Sequence, residues 1–397
     1  MQTDFLILGA DGMQGSTISR FLCKRGYRVS CADLVDTRLA TLDFKYVFHK
    51  LDVADPAALA QRIRFDNPRI VINCVEGDLN LDVYRVCLRE RVNVIDLGSS
   101  ILLTKKQLAL NRQFKESAII GITGCGSTPG INNVMFRHAL EDFDEITDLD
   151  LGFAWDSNLK EFVAPFSMGS VLYELSEPAH FIEGKELKKT SPLKSGRSRW
   201  IDPIGKQELF LVHHPEIYSF NRFCKKKGKQ PQNVYFYAGF PEHSLATLKS
   251  LVQLGFSHSE KPVTLDEVAI YPTDFLTMML KNIDLPDSYV ETEVLWVSIK
   301  GLRAGKPKVV KMVCIVDSLP DWRMAGCNID TAFPAALIAE MIYRGEISSK
   351  GSFSPEEVVP EQRFFNEIAK FGMRIYKNGE LINGLDLVVR NAAVRSG

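Results

Sequence analysis

The strongest constraint on this chain is the alternation of short apolar runs with amphipathic segments through its first third. Runs of strand length fall at residues 5–8, 28–32, 45–49, 70–74, 92–95 and 118–122. Between them, Ile18, Phe21 and Leu22 share one helical face that closes at Gly26, and Asp55-Pro56 caps and opens a second helix. Val83, Val86, Cys87 and Glu90 recur at helical spacing, and Thr104-Lys105-Lys106-Gln107 fits a capping box at the start of a fourth helix. Strands and helices that alternate in this way pack as a parallel sheet with helices on both faces, so the predicted class is α/β.

The glycines fall where such a sheet needs them. Gly9-Ala10-Asp11-Gly12-Met13-Gln14-Gly15 follows the first strand and opens the first helix. Gly9 permits the tight turn, Gly12 lets backbone approach a pyrophosphate, and Gly15 lets the helix lie close to the strand. The helix start adds free N–H groups and the positive end of a dipole. Asp33, at the end of the second strand, offers a carboxylate to both hydroxyls of an adenosine ribose and would repel a 2′-phosphate. NAD is therefore the expected cofactor, with NADP disfavoured; the competing reading of Asp33 is an ordinary turn carboxylate. Asp52 closes the third strand in Leu51-Asp52-Val53, either beside the adenine or as the cap of the following helix.

Ligands of a doubly wound, Rossmann-type parallel sheet sit outside the carboxyl ends of its strands. Three more strand ends therefore matter: Asn73-Cys74-Val75-Glu76, Asp96-Leu97-Gly98-Ser99-Ser100, and Gly124-Cys125-Gly126-Ser127-Thr128-Pro129-Gly130 before a helix predicted over 131–140. The last suits close backbone approach and is the expected nicotinamide and substrate end. Expected cofactor contacts are Gly9, Asp11, Gly12, Met13, Gln14, Gly15, Asp33, Asp52, Val53, Cys74, Val75 and Gly124.

Several of these blocks resemble the saccharopine dehydrogenase family, in particular the glutamate-forming saccharopine reductases and carboxynorspermidine dehydrogenases. The resemblance runs through Ile70-Val71-Ile72-Asn73-Cys74, Val94-Ile95-Asp96-Leu97-Gly98-Ser99 and the 124–131 turn. It resumes at Thr331-Ala332-Phe333-Pro334-Ala335-Ala336 and Lys350-Gly351-Ser352-Phe353-Ser354-Pro355-Glu356. It implies a Rossmann domain (1–124), an inserted α/β substrate and dimerisation domain (125–325), and a C-terminal helical segment (326–397) returning to the first domain. It also implies NAD(P)-dependent, reversible imine reduction at the CH–NH of a secondary amine derived from an amino acid, in a homodimer. Saccharopine reductases usually carry Asp where this chain has Thr128 and Tyr where it has Ser100. Their active-site cysteine corresponds to Ala154 or Trp155. Poor activity on saccharopine itself is the expectation.

The remainder reads as a second sheet. Leu149, Leu151, Phe153 and Trp155 alternate with Asp148, Asp150 and Gly152, and residues 290–300 and 308–317 flank a hairpin turn. Helices are predicted over 168–175, after Pro241, and over 334–343 with Thr331 as cap and Gly345 as stop. Carboxylate-bearing substrates need cationic partners, and Arg197, Arg199, Arg222 and Lys249 are available, each otherwise a solvated charge. With Asp96, Ser99, Ser100 and Thr128, Arg199 completes the expected substrate contacts. Lys225-Lys226-Lys227-Gly228-Lys229 reads as a solvated turn. His213 and His214 are either proton donors or packed side chains. No residue is assigned the chemistry.

Composition narrows the class further. At 397 residues the chain has room for two or three domains, and 45% hydrophobic content with 24 Phe and 11 Tyr excludes a mainly disordered chain. The 48 basic and 49 acidic residues leave a net charge of -1, which gives no reason to expect nucleic acid as a partner. No apolar run reaches the ~18 residues of a membrane span, and Met1-Gln2-Thr3-Asp4 lacks the features of a signal peptide. Eight cysteines without a C-x-x-C pair, several in apolar runs (Cys31, Cys74, Cys314), read as reduced core residues of a cytoplasmic protein. The histidine and cysteine spacings predict no metal site. A short-chain-type reductase is rejected, because its Tyr-x-x-x-Lys pair occurs here only as Tyr46 and Lys50, at the third strand. The alternative to an oxidoreductase is a non-catalytic nucleotide-binding or sensing protein of the same fold.

Overall fold

The structure is a computed structural model, and it describes residues 3–163, 168–258, 261–280, 286, 288–322 and 324–384. The chain begins with β1 (Phe5–Leu8), α1 (Met13–Lys24), β2 (Val29–Asp33), β3 (Val47–Lys50), α2 (Pro56–Asp66) and β4 (Ile70–Asn73). α3 (Asn80–Glu90), β5 (Asn93–Asp96), α4 (Ile101–Ala109), α5 (Asn111–Glu116) and β6 (Ile120–Ile122) follow. β1 and β4 are buried along their whole length, as strands covered on both faces must be. α1 stops at Lys24, with Gly26 taking a φ of +84° just beyond it. α2 is capped by Asp55, whose carboxylate accepts the Ala57 and Ala58 N–H groups, with Pro56 in the first turn.

α4 begins three residues before the predicted position. Ser100 is its cap, its hydroxyl accepting the Leu103 N–H at 3.3 Å, and Thr104 lies inside the helix. Gln107 does not close a capping box; its amide donates to Asp96 at 2.6 Å.

The middle of the chain gives α6 (Ile131–Leu140), β7 (Glu145–Ser157), α7 (Met168–Ser176), β8 (Ala179–Glu183), β9 (Glu186–Thr190), β10 (Arg197–Ile201) and β11 (Gly205–Leu211). Then come α8 (Glu216–Lys226), β12 (Asn233–Phe240), α9 (Glu242–Gln253), β13 (Val263–Leu265), β14 (Val268–Ile270), α10 (Pro272–Leu280), β15 (Glu291–Arg303) and β16 (Lys306–Asp317). The chain closes with α11 (Gly326–Tyr343), β17 (Gly351–Phe353), α12 (Pro355–Val358), α13 (Glu361–Ala369), β18 (Arg374–Lys377) and β19 (Glu380–Leu381).

Among the described residues the first sheet is parallel, in the order β17-β6-β5-β4-β1-β2-β3. Strand order reverses between β1 and β4, which places a ligand crevice there. The second sheet is mixed and has ten strands, with the path β10-β11-β12-β7-β15-β16-β18-β19, β8 pairing β12 and β9 pairing β8. One face, carrying Leu149, Leu151, Phe153, Leu295, Val297 and Met312, joins the main core with α6 and α11. The other carries Trp296, Tyr237 and Val294. The C-terminal stretch adds β17 to the first sheet and β18 and β19 to the second, so it ties both together.

α11 starts at Gly326, eight residues before the predicted position, and carries Pro334 inside it. A proline there removes one helix hydrogen bond, yet apolar burial on all sides outweighs that loss. The helix is clamped to the first domain by Glu340, which accepts from the Tyr27 hydroxyl (2.6 Å) and pairs with Arg25 (3.0 Å) and Arg344 (2.6 Å). Glu340 itself is buried, while both arginines reach water. Glu340→Ala leaves the Tyr27 hydroxyl and the inner arginine faces without their acceptor. The expected loss is about 2–4 kcal/mol in urea unfolding, with Glu340→Gln losing less.

Candidate functional site

The glycine-rich turn after β1 has the geometry of a phosphate cradle. Gly9 holds φ +69°, and a Cβ there would stand 2.9 Å from the Cys74 carbonyl and the Val75 nitrogen. A Cβ on Gly15 would lie 2.1 Å from the Gly9 oxygen, so only glycine lets α1 sit this close to β1. Gly12 is exposed and caps α1 without a side chain. Among the described residues no protein acceptor takes the N–H groups of Met13, Gln14 and Gly15. An open helix start with free N–H groups fits a pyrophosphate.

Asp33 reaches this turn from β2. Its Oδ2 accepts the Asp11 N–H at 2.8 Å and its Oδ1 the Leu34 N–H at 2.7 Å, and each oxygen keeps a further lone pair. The side chain is half-buried, so a ribose at the end of β2 can reach it. Asp11 differs from expectation. It is buried, and its carboxylate holds the Thr37 hydroxyl (2.9 Å) and the Leu39 N–H (2.8 Å), bracing the loop after β2 rather than facing a ligand. Asp52 is exposed and accepts the Ala54 N–H within its own turn, while Asp55 is the helix cap. Val53 packs into the core with Leu51 and Leu59. Cys74 and Val75 are half-buried at the end of β4; burial pushes the Cys74 thiol up, so it stays protonated.

The exits of β5 and β6 are tied together by Asp96. This carboxylate has no exposed surface and accepts from the N–H groups of Gly98 (2.8 Å) and Gly124 (2.9 Å), the Thr123 hydroxyl (3.2 Å) and Gln107. Burial raises its pKa, against the pull of those donors. The expectation that Asp96 touches substrate is corrected by this enclosure: it is a positioning residue that sets both loops. Pro129 then packs against Gly98 and Gly124, where a Cβ would come within 2.7 and 2.4 Å of its ring. Ser99, Ser100 and Thr128 line the resulting floor and are half-buried. Ser100 caps α4, and the Ser99 hydroxyl has no partner among the described residues.

Opposite this floor stands a wall that sequence reasoning missed. The Ser127 hydroxyl lies 3.3 Å from that of Thr331 on α11, and Gln14 donates to Asn328 on the same helix at 3.2 Å. Next to Thr331, Asp330 faces Glu293 of β15 in the dry interior; burial comes first and mutual repulsion second in raising Glu293, and burial also raises Asp330. Glu291, two residues along the same strand face, accepts the Cys327 N–H at 3.0 Å and the Tyr289 hydroxyl. Glu174 of α7 is buried and feels the charges of His214 and Glu216, and Glu293 feels Glu174. His214 bonds Glu216 and stacks on Phe236; burial lowers its pKa, but the Glu216 carboxylate outweighs that and leaves it raised. His213 shares a ring-nitrogen contact of 2.8 Å with His180, and burial followed by the two neighbouring imidazoles pushes it down to about 4.

The expected cationic partners are elsewhere. Arg199 pairs with Asp150 at 2.9 Å and lies over Trp296, on the outer face of the second sheet, whereas Glu293 is on the inner one. Arg197 joins Asp150, Arg222 joins Glu357, and Lys249 lies over Phe210. Among the described residues Glu174, Glu293 and Asp330 have no arginine or lysine partner.

A parallel sheet with an open phosphate cradle, facing an acid-lined wall on a second sheet, defines a dinucleotide-binding oxidoreductase. Residues 5–122 match the saccharopine dehydrogenase NADP binding domain and residues 126–373 the saccharopine dehydrogenase C-terminal domain. The chain belongs to the saccharopine dehydrogenase family of NAD(P)-binding oxidoreductases. It is 24% identical to a carboxynorspermidine synthase of Vibrio alginolyticus, over 77% of each chain. It is 25% identical to a carboxyaminopropylagmatine dehydrogenase of Synechocystis, over 84% of this chain and 83% of the relative. Its fold matches that of the L-Glu-forming saccharopine dehydrogenase of Saccharomyces cerevisiae with a TM-score of 0.72 at 13% identity, covering 96% of this chain and all of that one. A homospermidine synthase of Legionella pneumophila gives 0.68 at 14% identity, over 95% of this chain and 91% of that one. No described helix is long and apolar enough to cross a membrane.

The floor also depends on Glu356, which is fully buried and accepts from Asn133 at 2.7 Å, while Asn133 accepts the Gly130 N–H at 2.8 Å. Burial pushes Glu356 up to about 7 from an ordinary 4.5. A raised carboxyl holds its proton in the folded state after the unfolded chain has released it, so its contribution to stability is lost as pH rises from 4.5 through about 7. Glu356→Gln removes that loss. Its melting temperature should gain on the wild type between pH 5 and pH 8 in calorimetric scans, and an unchanged difference across that range would contradict the burial argument.

Proposed function

We propose that this protein oxidises, and in reverse forms, a secondary amine joining a carboxylate-bearing arm to a polyamine or guanidino-amine. The observation that carries the reading is the wall of buried carboxyls, Glu174, Glu291, Glu293 and Asp330, of which Glu174, Glu293 and Asp330 have no arginine or lysine partner among the described residues. Such groups are costly to bury alone and become favourable when a ligand ammonium or guanidinium pairs with them. The names of the relatives point the same way, since both describe a carboxyl-bearing amine built on a polyamine or on agmatine. Thr128 and Ser100, in place of the Asp and Tyr expected of a saccharopine reductase, argue against saccharopine as the preferred substrate.

The cradle from Gly9 to Gly15 and Asp33 would hold the dinucleotide, with its nicotinamide toward Ser99 and the loop at Gly126. When bound, that group exchanges a hydride with the carbon beside the substrate nitrogen. The chain's own part is to orient the amine, with Ser99, Ser127 and Thr128 below it and the acidic wall above. Residues 1–124 supply the nucleotide floor, 125–325 most of the wall and the homodimer contact, and 326–397 the tie between them together with Asp330. Reduced cysteines support a cytoplasmic setting.

Two measurements test the reading. In steady-state NAD reduction, carboxynorspermidine or carboxyaminopropylagmatine should exceed saccharopine in kcat/KM by about 100-fold or more. Saccharopine as the best substrate would overturn the assignment. In calorimetry NAD(H) should bind more tightly than NADP(H), and Asp33→Ala should narrow the gap by roughly tenfold. Equal affinities in the wild type would remove the role given to Asp33.

A further inference from the structure

Oxidation of a CH–NH bond needs a base at the nitrogen, and that base must change protonation near neutral pH. Most titratable groups around the cleft are already committed. Asp96 is enclosed by its donors, and Glu291 holds the Cys327 N–H and the Tyr289 hydroxyl. Glu293 and Asp330 are engaged with each other, His214 is paired with Glu216, and His213 faces His180. Glu174 differs. Its Oε2 is sealed from solvent without a hydrogen-bond partner, no described side chain bonds its carboxyl, and the residue keeps 8% exposure. Its neighbour Tyr173 packs edge-on against His213 with ring centres 6.2 Å apart, and Glu293 of the wall lies close enough to feel the Glu174 charge.

We infer that Glu174 is the group that takes the proton from the substrate nitrogen during oxidation and returns it during reduction, an inference that rests on the secondary-amine reading above. In the oxidative direction the N–H bond of the secondary ammonium breaks, an O–H bond forms on Glu174, and the lone pair remains on nitrogen. That pair forms the C=N bond as the hydride leaves carbon for the dinucleotide, so the cation is kept on the product iminium. Reduction runs the same steps backwards, with protonated Glu174 as the donor.

The electrostatics suit the role. Burial pushes Glu174 up to about 7, with the His214 imidazolium opposing and the Glu216 carboxylate adding to the rise. Glu293 faces it from β15. The elements packed on α7, namely α9, α10 and the turn at 192–194, carry Glu242, His243, Lys249, Asp274 and Lys194; none of these charges shifts it. Oxidation, which needs the carboxylate, should therefore rise about tenfold per pH unit below 7 and level above it. Reduction, which needs the acid, should fall above 7.

The test combines kinetics with a binding measurement. Glu174→Gln should lower kcat by about 10²–10³-fold, raise KM through the lost ion pair and lose the limb of kcat/KM near pH 7, while Glu174→Asp should restore part of kcat with the limb. Norspermidine binding, measured by calorimetry at pH 7 in two buffers of different ionisation enthalpy, should release about half a proton from the wild type and none from Glu174→Gln. A Gln variant with the limb and proton release intact, on an enzyme that oxidises the amine panel, overturns the inference and leaves the secondary-amine reading standing. A wild type without a limb near 7 overturns it too, whether or not the variants fold. Failure of the wild type to turn over or bind any amine overturns both.

Discussion

The site depends on one helix that has no polar face. α11 is buried along nearly its whole length, from Gly326 to Ile342, packing Phe333 against Phe21, Trp322 and Phe371. A helix that must be dry on every side can only lie between other layers. Here those layers are the first domain's α1 and the inner face of the second sheet. Its first two turns deliver Asn328 to Gln14, Asp330 to Glu293 and Thr331 to Ser127, and its last turn anchors Glu340. Floor and wall therefore keep a fixed relation through packing, and the cleft residues need no covalent tie.

That arrangement asks the fold to carry unfavourable charge. A carboxyl buried without a cation either stays protonated or costs several kcal/mol as an anion. Glu291 is the tolerable case, because the positive end of α11 and the Cys327 N–H stabilise it. Glu293, Asp330 and Glu174 lack that support, and burial comes first in raising all four, Glu291 included. Proteins concentrate such locally destabilising groups where a ligand completes them. Stability and function are set against each other at the same atoms.

The first sheet was legible because each of its signals is local. The strand runs, the glycine spacing, Asp55 with Pro56, and Gly26 all act within a few residues, and the structure places them within a residue or two of expectation. Long-range decisions were not legible. α11 is capped by Glu291 from a distant strand, so neither Thr331 nor Pro334 marks its start. Gln107 looked like a capping partner and instead serves Asp96. Arg199 was favoured as a substrate contact for its charge, but strand alternation sends it to the outer face with Trp296. The wall did leave one signal. Leu295, Val297 and Ile299 mark the inward phase of β15, and Glu291 and Glu293 continue that phase. Acids in register with a core face are the pattern to read.

The departures from saccharopine reductases now acquire a common physical sense. Ala154 turns to the outer face, where it meets Gly239 at the close approach of β7 and β12. Trp155 turns inward, fully buried, and is the direct cross-strand partner of Glu293. Its indole N–H has no acceptor among the described residues. A thiol there would be small and ionisable; an indole is large, neutral and able to face a cation. Thr128 meanwhile leaves the floor without the carboxylate expected there. The buried carboxyls of this chain therefore stand on the wall rather than in the glycine-rich loop, with an aromatic ring beside them. A cation at that wall gains from pairing with acids that are costly to bury alone and from the face of the neighbouring ring, two contributions that a lone carboxylate in the loop would not combine.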